Sequence, residues 1–127
     1  MSKHSEIDPE ILKEAFDLCR SFALPLLGTE LTTQFLKESY RKILPYFHVL
    51  KYFKLNDTAQ LSIAKNALTD KELLCFAVWM QQFLKEIQQF MIGIGRVDIE
   101  AITESIKEPL EAMGFYEYFH QAEELEY

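Results

Sequence analysis

Glycine, proline and cysteine are scarce in this sequence. Four glycines and four prolines among 127 residues leave little material for long loops or many tight turns. There are two cysteines, Cys19 and Cys75, and they lack the CxxC spacing of a metal or redox pair. Each lies at an apolar position of a helical pattern, so we expect buried thiols in a reducing compartment.

Long hydrophobic runs are missing as well. Charged residues interrupt the apolar stretches within about ten residues, which is too short to cross a bilayer. The N-terminus lacks the basic start and apolar run of a signal peptide. We therefore expect a cytoplasmic protein that does not enter a membrane.

Positive charge is in the minority, since 13 Lys and Arg against 20 Asp and Glu give a formal net charge of −7. Such a chain repels phosphate backbones and anionic lipid surfaces, so we expect neither nucleic acid nor a membrane as a partner. The basic residues nevertheless gather in one part of the sequence. A patch there would suit an acidic protein partner, although a solvated helix face gives the same pattern. Its members are Lys37, Arg41, Lys42, Lys51 and Lys54.

No residue pattern typical of catalysis is present. There is no G-x-S-x-G motif, no glycine-rich phosphate loop and no histidine close to either cysteine. Glu117 and His120 have the Glu-x-x-His spacing of carboxylate-bridged di-iron bundles, but the second pair that such a site needs is absent. We therefore predict no catalytic residue, no metal site and no cofactor.

The most regular stretch spans residues 70–94. Its apolar positions alternate in steps of four and three, which is the a/d register of a heptad pattern. Phe76, Phe83 and Phe90 recur every seven residues beside this seam. The stripe is wide enough for a helix with several neighbours in a bundle, and Gln81 and Gln82 belong to its predicted polar side. The seam consists of Leu73, Ala77, Met80, Leu84, Ile87, Met91 and Ile94.

Capping signals divide the first half of the chain. Asp8 followed by Pro9 predicts the start of a first helix, because Asp accepts free N–H groups and Pro at the first position loses no needed donor. Pro25 and Gly28 then break or kink this helix. Further helical segments are predicted over residues 29–44, 46–55 and 58–67.

The second half of the chain carries similar signals. Thr69 and Glu72 form a capping box that begins the central helix, and the glycines around Gly95 end it. Asp98 is the predicted cap of the next helix, and Gly114 separates that helix from a final short one.

These helices are not accompanied by any strand signal. Alternating period-two runs and Asn-Gly hairpin turns are both absent. We therefore predict a single all-α domain over residues 1–127, a helical bundle of five or six helices kinked at prolines. Residues 1–7 and 122–127 are expected to be frayed.

Two alternative functions centre on His48. The segment from His48 to Lys51 resembles the His-x-Leu-Lys-Gly phosphoacceptor motif of histidine phosphotransfer domains, which are helical bundles of about this length. In that family the imidazole takes a phosphoryl group that the lysine neutralises, although Tyr52 stands here in the place of the family's glycine. The other alternative is a haem or small-ligand sensor with His48 in an aromatic pocket.

A longer resemblance rests on the spacing of short motifs between residues 40 and 119. They are Tyr40-Arg41 followed by Leu44 and then Tyr46-Phe47, the break at Leu68-Thr69, the long amphipathic helix, and Gly95-Arg96-Val97-Asp98. This pattern resembles the C-terminal helical domain of the circadian clock protein KaiA, which is related in fold to the N-terminal domain of the phosphatase regulator RsbU. A histidine that the family carries on the long helix, near Trp79 or Met80 here, is absent.

The resemblance implies a homodimeric helical bundle without catalytic activity, which activates a partner kinase or phosphatase by binding a helix or peptide of it. We accordingly predict a non-enzymatic signalling or regulatory interaction module, a homodimer that binds a kinase, phosphatase or other regulator. The apolar residues have two interpretations, a contact surface or the core of one chain. The predicted contact residues are Phe76, Phe83, Phe90, Trp79, Arg41 and Lys42.

Overall fold

The protein is mostly helical, as the sequence predicted, but it is not purely α. A computed structural model describes residues 6–125. Their helices are α1 (Pro9–Ile43), α2 (Asp70–Phe90), α3 (Ile99–Ile102), α4 (Lys107–Met113) and α5 (Phe115–Ala122). Two strands, β1 (Phe53–Leu55) and β2 (Leu61–Ile63), form an antiparallel hairpin, and short 3-10 turns span His48–Tyr52 and Glu104–Ile106. Within the described residues no helix combines the length and apolarity that crossing a bilayer requires.

The central helix is α2, because α1, α5 and the first 3-10 turn all pack against it. Its side chains are buried almost without interruption over residues 72–84. The predicted polar side is therefore wrong at Gln81 and Gln82, which are only 7% and 6% exposed. The helix also ends at Phe90, earlier than predicted, with Met91 N–H donating to the Ile87 carbonyl at 2.8 Å.

The predicted start of α2 is confirmed, with a different bonding pattern. The Thr69 hydroxyl accepts from the N–H of Lys71 at 3.3 Å and donates to the carboxylate of Glu72. Glu72 is only 1% exposed and also binds the Lys65 ammonium. Burial alone would raise the pKa of Glu72, but the hydrogen bonds from Lys65 and Thr69 outweigh it, so that pKa lies below its usual value.

The predicted start of α1 is confirmed, and the predicted break lies at Gly28 rather than at Pro25. Asp8 Oδ1 accepts the N–H of Glu10 at 3.0 Å, and Pro9 is the first helical residue. Gly28 interrupts the helix with φ 81° and ψ 171°, a conformation that a side chain would strain. Pro25 lies inside the helical segment before Gly28 and keeps helical backbone angles, so the prediction of a helix kinked at its proline is wrong for α1.

The helix predicted over residues 58–67 is wrong, because this part of the chain forms the β-hairpin. Phe53 lies opposite Ile63, and Leu55 lies opposite Leu61. The turn between the strands is built by Asn56, whose Oδ1 accepts the N–H of Thr58 at 3.0 Å and that of Gln60 at 2.9 Å. The segment 46–55 is likewise not one helix, since a 3-10 turn passes directly into β1.

The helix predicted after Asp98 is divided in two. Asp98 caps α3 by accepting the N–H groups of Glu100 and Ala101. The chain then leaves the α conformation at Thr103 and resumes it in α4. Gly114, with φ 92°, separates α4 from α5 as predicted.

The terminal segments expected to be frayed lie partly outside the described residues. Residues 1–5 and 126–127 are not described. Of the others, Ile7 is 7% exposed and Ala122 is 1% exposed, so both belong to the core. The packed part of the chain therefore extends further toward both ends than predicted.

Candidate functional site

Four basic residues line one surface groove, although they come from three different elements. Lys37 and Arg41 lie one turn apart on α1, so they point to the same side. Lys51 comes from the 3-10 turn and Lys54 from β1. The groove encloses about 540 Å³, and we call it the basic groove. Its lining consists of Lys37, Tyr40, Arg41, Lys51, Lys54, Leu55, Asn56 and Asp57.

Tyr40 fixes the walls of the basic groove relative to each other. Its hydroxyl oxygen lies 3.1 Å from the Leu50 carbonyl oxygen and 2.8 Å from the Phe53 carbonyl oxygen, so its one O–H proton is shared between these two acceptors. Burial raises the pKa of the Tyr40 phenol, so this donor stays protonated. Lys37 adds a second link, because its ammonium donates to the Asp57 carbonyl at 3.0 Å. The groove is therefore held by bonds from α1 to the turn, the strand and the hairpin loop.

The charges of the basic groove are largely available to a ligand. Arg41, Lys51 and Lys54 are exposed, and no carboxylate of residues 6–125 lies within 4.0 Å of any of them. Asp57 is the one acidic residue in the lining. A groove with this excess of positive charge attracts carboxylates or other anions, in contrast to the acidic chain around it.

Of the two cations predicted as contacts, only Arg41 belongs to the basic groove. Lys42 faces another direction and forms an ion pair with Glu86 of α2 at 3.3 Å. Four of the five basic residues that cluster in the sequence are thus brought together. The sequence spacing of Lys51 and Lys54 fitted a helix. In the structure Lys51 lies in a 3-10 turn and Lys54 in β1.

The predicted apolar contact residues separate into core and surface. Phe76, Phe83 and Trp79 are completely buried within one chain. Phe90 is 54% exposed and contacts Phe35 edge to face, with 5.3 Å between the ring centroids. Phe90 is therefore the member of the row that a second molecule can reach in this conformation.

His48 and Lys51, the alternative phosphoacceptor pair, are both exposed on the 3-10 turn. The Lys51 ammonium lies 5.5 Å from the centre of the Tyr52 ring and also lines the basic groove. The aromatic residues near His48 do not share one environment, since Phe53 is fully buried and Tyr46 is 64% exposed.

The cysteines offer no accessible nucleophile. Cys19 and Cys75 are both buried, and burial raises the pKa of each thiol to about 12. Each is therefore a neutral thiol at physiological pH. Among residues 6–125, no group of three or more His, Cys, Asp or Glu side chains is arranged to hold a metal ion.

A polar cluster around His120 was missed by the sequence analysis, which noted only the spacing to Glu117. His120 contacts Glu123, three residues later, and Glu100 of α3. The first contact could have been found from the helical i, i+3 spacing. The second depends on how α5 packs on α3, which no local pattern specifies.

Neither the protein-family models, nor the curated proteins, nor the solved structures contain a match to this chain. The resemblance to the KaiA and RsbU domains accordingly stays a prediction.

Proposed function

We propose that the protein is a non-enzymatic signalling or regulatory module whose basic groove binds an acidic segment of a partner protein. The observation that carries this proposal is the convergence of Lys37, Arg41, Lys51 and Lys54 on one groove of an otherwise acidic chain. The partner would be a kinase, a phosphatase or another regulator, as the sequence resemblance implies.

The dimensions of the basic groove suit a peptide segment. Its volume of about 540 Å³ lies within the range of about 300–1,000 Å³ that is common for small-molecule sites, which is room for a few side chains of a peptide. Leu55 and the ring of Tyr40 supply apolar surface between the charges. We therefore expect a ligand in which acidic residues flank an aliphatic or aromatic one.

Charge reversal in the basic groove tests this proposal. The variant with both Arg41→Glu and Lys54→Glu should bind a short fluorescein-labelled peptide of alternating Glu and Leu about tenfold more weakly. In the variant, two exposed ion pairs between the groove and the peptide become two repulsions. A tenfold change corresponds to about 1.4 kcal/mol, which two such changes can supply. Fluorescence anisotropy at low salt measures the binding, which should weaken further as salt is added.

The matched control reverses Lys13 and Lys71, two lysines outside the basic groove, and changes the net charge equally. It should keep most of the affinity. An equal loss of peptide affinity in both double variants would contradict the proposal, because binding would then depend only on the net charge of the protein. Failure of the unmodified protein to bind the peptide would contradict it as well.

The same proposal includes a homodimer, and the exposed apolar end of α2 supports it. Phe90 is 54% exposed and Ile92 is 98% exposed, so two large apolar side chains lie in solvent close together in sequence. Large apolar side chains that are exposed next to each other are a feature of contact sites between proteins, whereas single ones are ordinary on a surface.

Light scattering at micromolar concentration tests the dimer. We expect the mass of a dimer for the unmodified protein and of a monomer for the variant with Phe90→Ala and Ile92→Ser. Leu125→Ser, which removes an exposed leucine elsewhere, should leave the dimer intact. A strict monomer for the unmodified protein would contradict the homodimer while leaving the basic groove to be judged by its own experiment.

A further inference from the structure

The segment between α2 and α3 separates three adjoining surface cavities of about 310, 410 and 400 Å³. Arg96 and Val97 line all three. The first two cavities also share Phe119 and Glu123 of the α5 region as a wall. The position of α5 therefore affects how far the first two cavities are open.

His120 connects α5 to α3 at the edge of the second cavity. Its Nδ1 lies 2.7 Å from Glu123 Oε1, and its Nε2 lies 3.1 Å from Glu100 Oε1. A neutral imidazole has one N–H donor and one lone pair, so it can donate to only one of these carboxylates. The protonated ring donates to both, which makes this geometry specific for the imidazolium form.

The surrounding charges hold the two carboxylates in place. Arg96 contacts Glu123 Oε2 at 3.2 Å, and Lys107 of α4 lies 4.0 Å from Glu100 Oε2. The charged side chains that line the same two cavities are Lys85, Arg96, Asp98, Glu100, His120 and Glu123. The loss of one proton from His120 leaves the ring a single N–H. If that donor stays with the shorter contact, to Glu123 at the end of α5 itself, the contact to Glu100 of α3 is the one that is lost.

We propose that His120 is a proton-operated latch, which holds the end of α5 against α3 when protonated and releases it when neutral. Release lets the wall formed by Phe119 and Glu123 move away from Arg96 and Val97. The two cavities that share this wall then widen in a pH-dependent way.

The direction of the pH effect follows from the environment of the ring. The hydrogen bond to Glu123 raises the pKa of His120, burial lowers it, and the bond to Glu100 raises it again, with a net rise above the usual 6.5. A raised pKa in the folded state means that the latch is fully formed below about pH 6.5. It is lost as the pH rises through the higher value of the folded protein.

Amide hydrogen exchange from about pH 5 to about pH 8 tests the latch. Protection of α5 and α3, corrected for intrinsic exchange rates, should fall about three- to fivefold across this range, the size that exposed ion pairs support. His120→Gln should be weakly protected throughout and lose the pH dependence. His48→Gln, which removes an exposed histidine of the 3-10 turn, should keep it.

A second measurement does not depend on any variant. The NMR titration of the His120 ring in the unmodified protein should give a pKa above 6.5, while resonances of Phe119 and Val97 shift at the same pH. A His120 pKa at or below 6.5 would overturn the proposal. Unchanged pH dependence of α5 protection in His120→Gln would overturn it too.

Discussion

Replacing Trp79 by alanine should lower the free energy of unfolding by about 3–5 kcal/mol, the cost typical of removing a large buried aromatic side chain. Trp79 is completely buried and packs against the rings of Phe16, Tyr40 and Phe76 at centroid distances of 5.4, 5.3 and 6.2 Å. Its indole N–H donates to the Ser39 hydroxyl at 3.1 Å. Since small domains have a total stability of about 5–15 kcal/mol, this one change would remove much of it.

Urea denaturation followed by circular dichroism measures this loss. Phe90→Ala is the comparison, because Phe90 belongs to the same helix but is 54% exposed. Measured below the concentration at which the proposed dimer forms, its cost to the single chain should stay within about 1 kcal/mol. If Trp79→Ala were as mild as Phe90→Ala, the indole would not be a core side chain. The contrast also separates the two interpretations of the apolar residues, since a surface contact adds little to the stability of one chain.

The second large effect is expected at Lys65. Lys65→Met removes the ammonium that binds Glu72 and leaves a carboxylate that is 1% exposed without its cationic partner. An unpaired buried charge is strongly destabilising. Glu72→Gln should cost less, about 1–2 kcal/mol, because the Lys65 side chain can then reach water and still lie over the Tyr52 ring.

The pH dependence identifies the cause of the Lys65 effect. In the unmodified protein the lowered pKa of Glu72 gives stability that is present above about pH 4.5 and is lost as the pH falls through the folded value. In Lys65→Met, burial should instead raise that pKa, so the variant recovers when the carboxyl is protonated. The difference between the two proteins, followed by thermal denaturation, should therefore shrink toward pH 4.

Lys71→Met provides the matched control for Lys65→Met. Lys71 is exposed in the first turn of α2, so its replacement should change stability little at any pH. A difference between Lys65→Met and the unmodified protein that stayed constant down to pH 4 would argue against a buried carboxylate as its cause.

The boundaries of the helices were predictable where one residue determines them. Asp8, Thr69 and Asp98 cap helices as expected, because a side-chain oxygen within two or three residues of a free N–H needs no distant contact. Gly28 lies at the kink of α1, and Gly114 lies between α4 and α5. Both positions were predictable because few other residues tolerate positive φ.

The hairpin was not predictable from the same kind of signal. Its strands have three residues each, too few to show an alternating pattern. Its turn uses the Asn56 side chain and places Ala59 at φ 58°, where a glycine would have been the usual marker. The apolar residues between 58 and 67 then fit a helical period equally well.

The polar side of α2 was wrong for a different physical reason. Gln81 and Gln82 lie in the almost continuously buried stretch of α2, the helix on which α1 and α5 both pack, and such neighbours cannot be seen in a local pattern. The basic groove was also predictable only in part. Its positive charge is visible in the sequence. The hydrogen bonds of Tyr40 that shape it join residues 10 and 13 positions apart, which is beyond any helical spacing pattern.

The enclosure of α2 has a consequence for how the chain is made. Ribosomes add about 5–20 residues per second, so α2 leaves the exit tunnel seconds before α5 does. During that interval one side of α2 has no helix to cover it, and chaperones can bind its apolar residues. The core is completed only when α5 docks on α2, seconds after α2 itself has been synthesised.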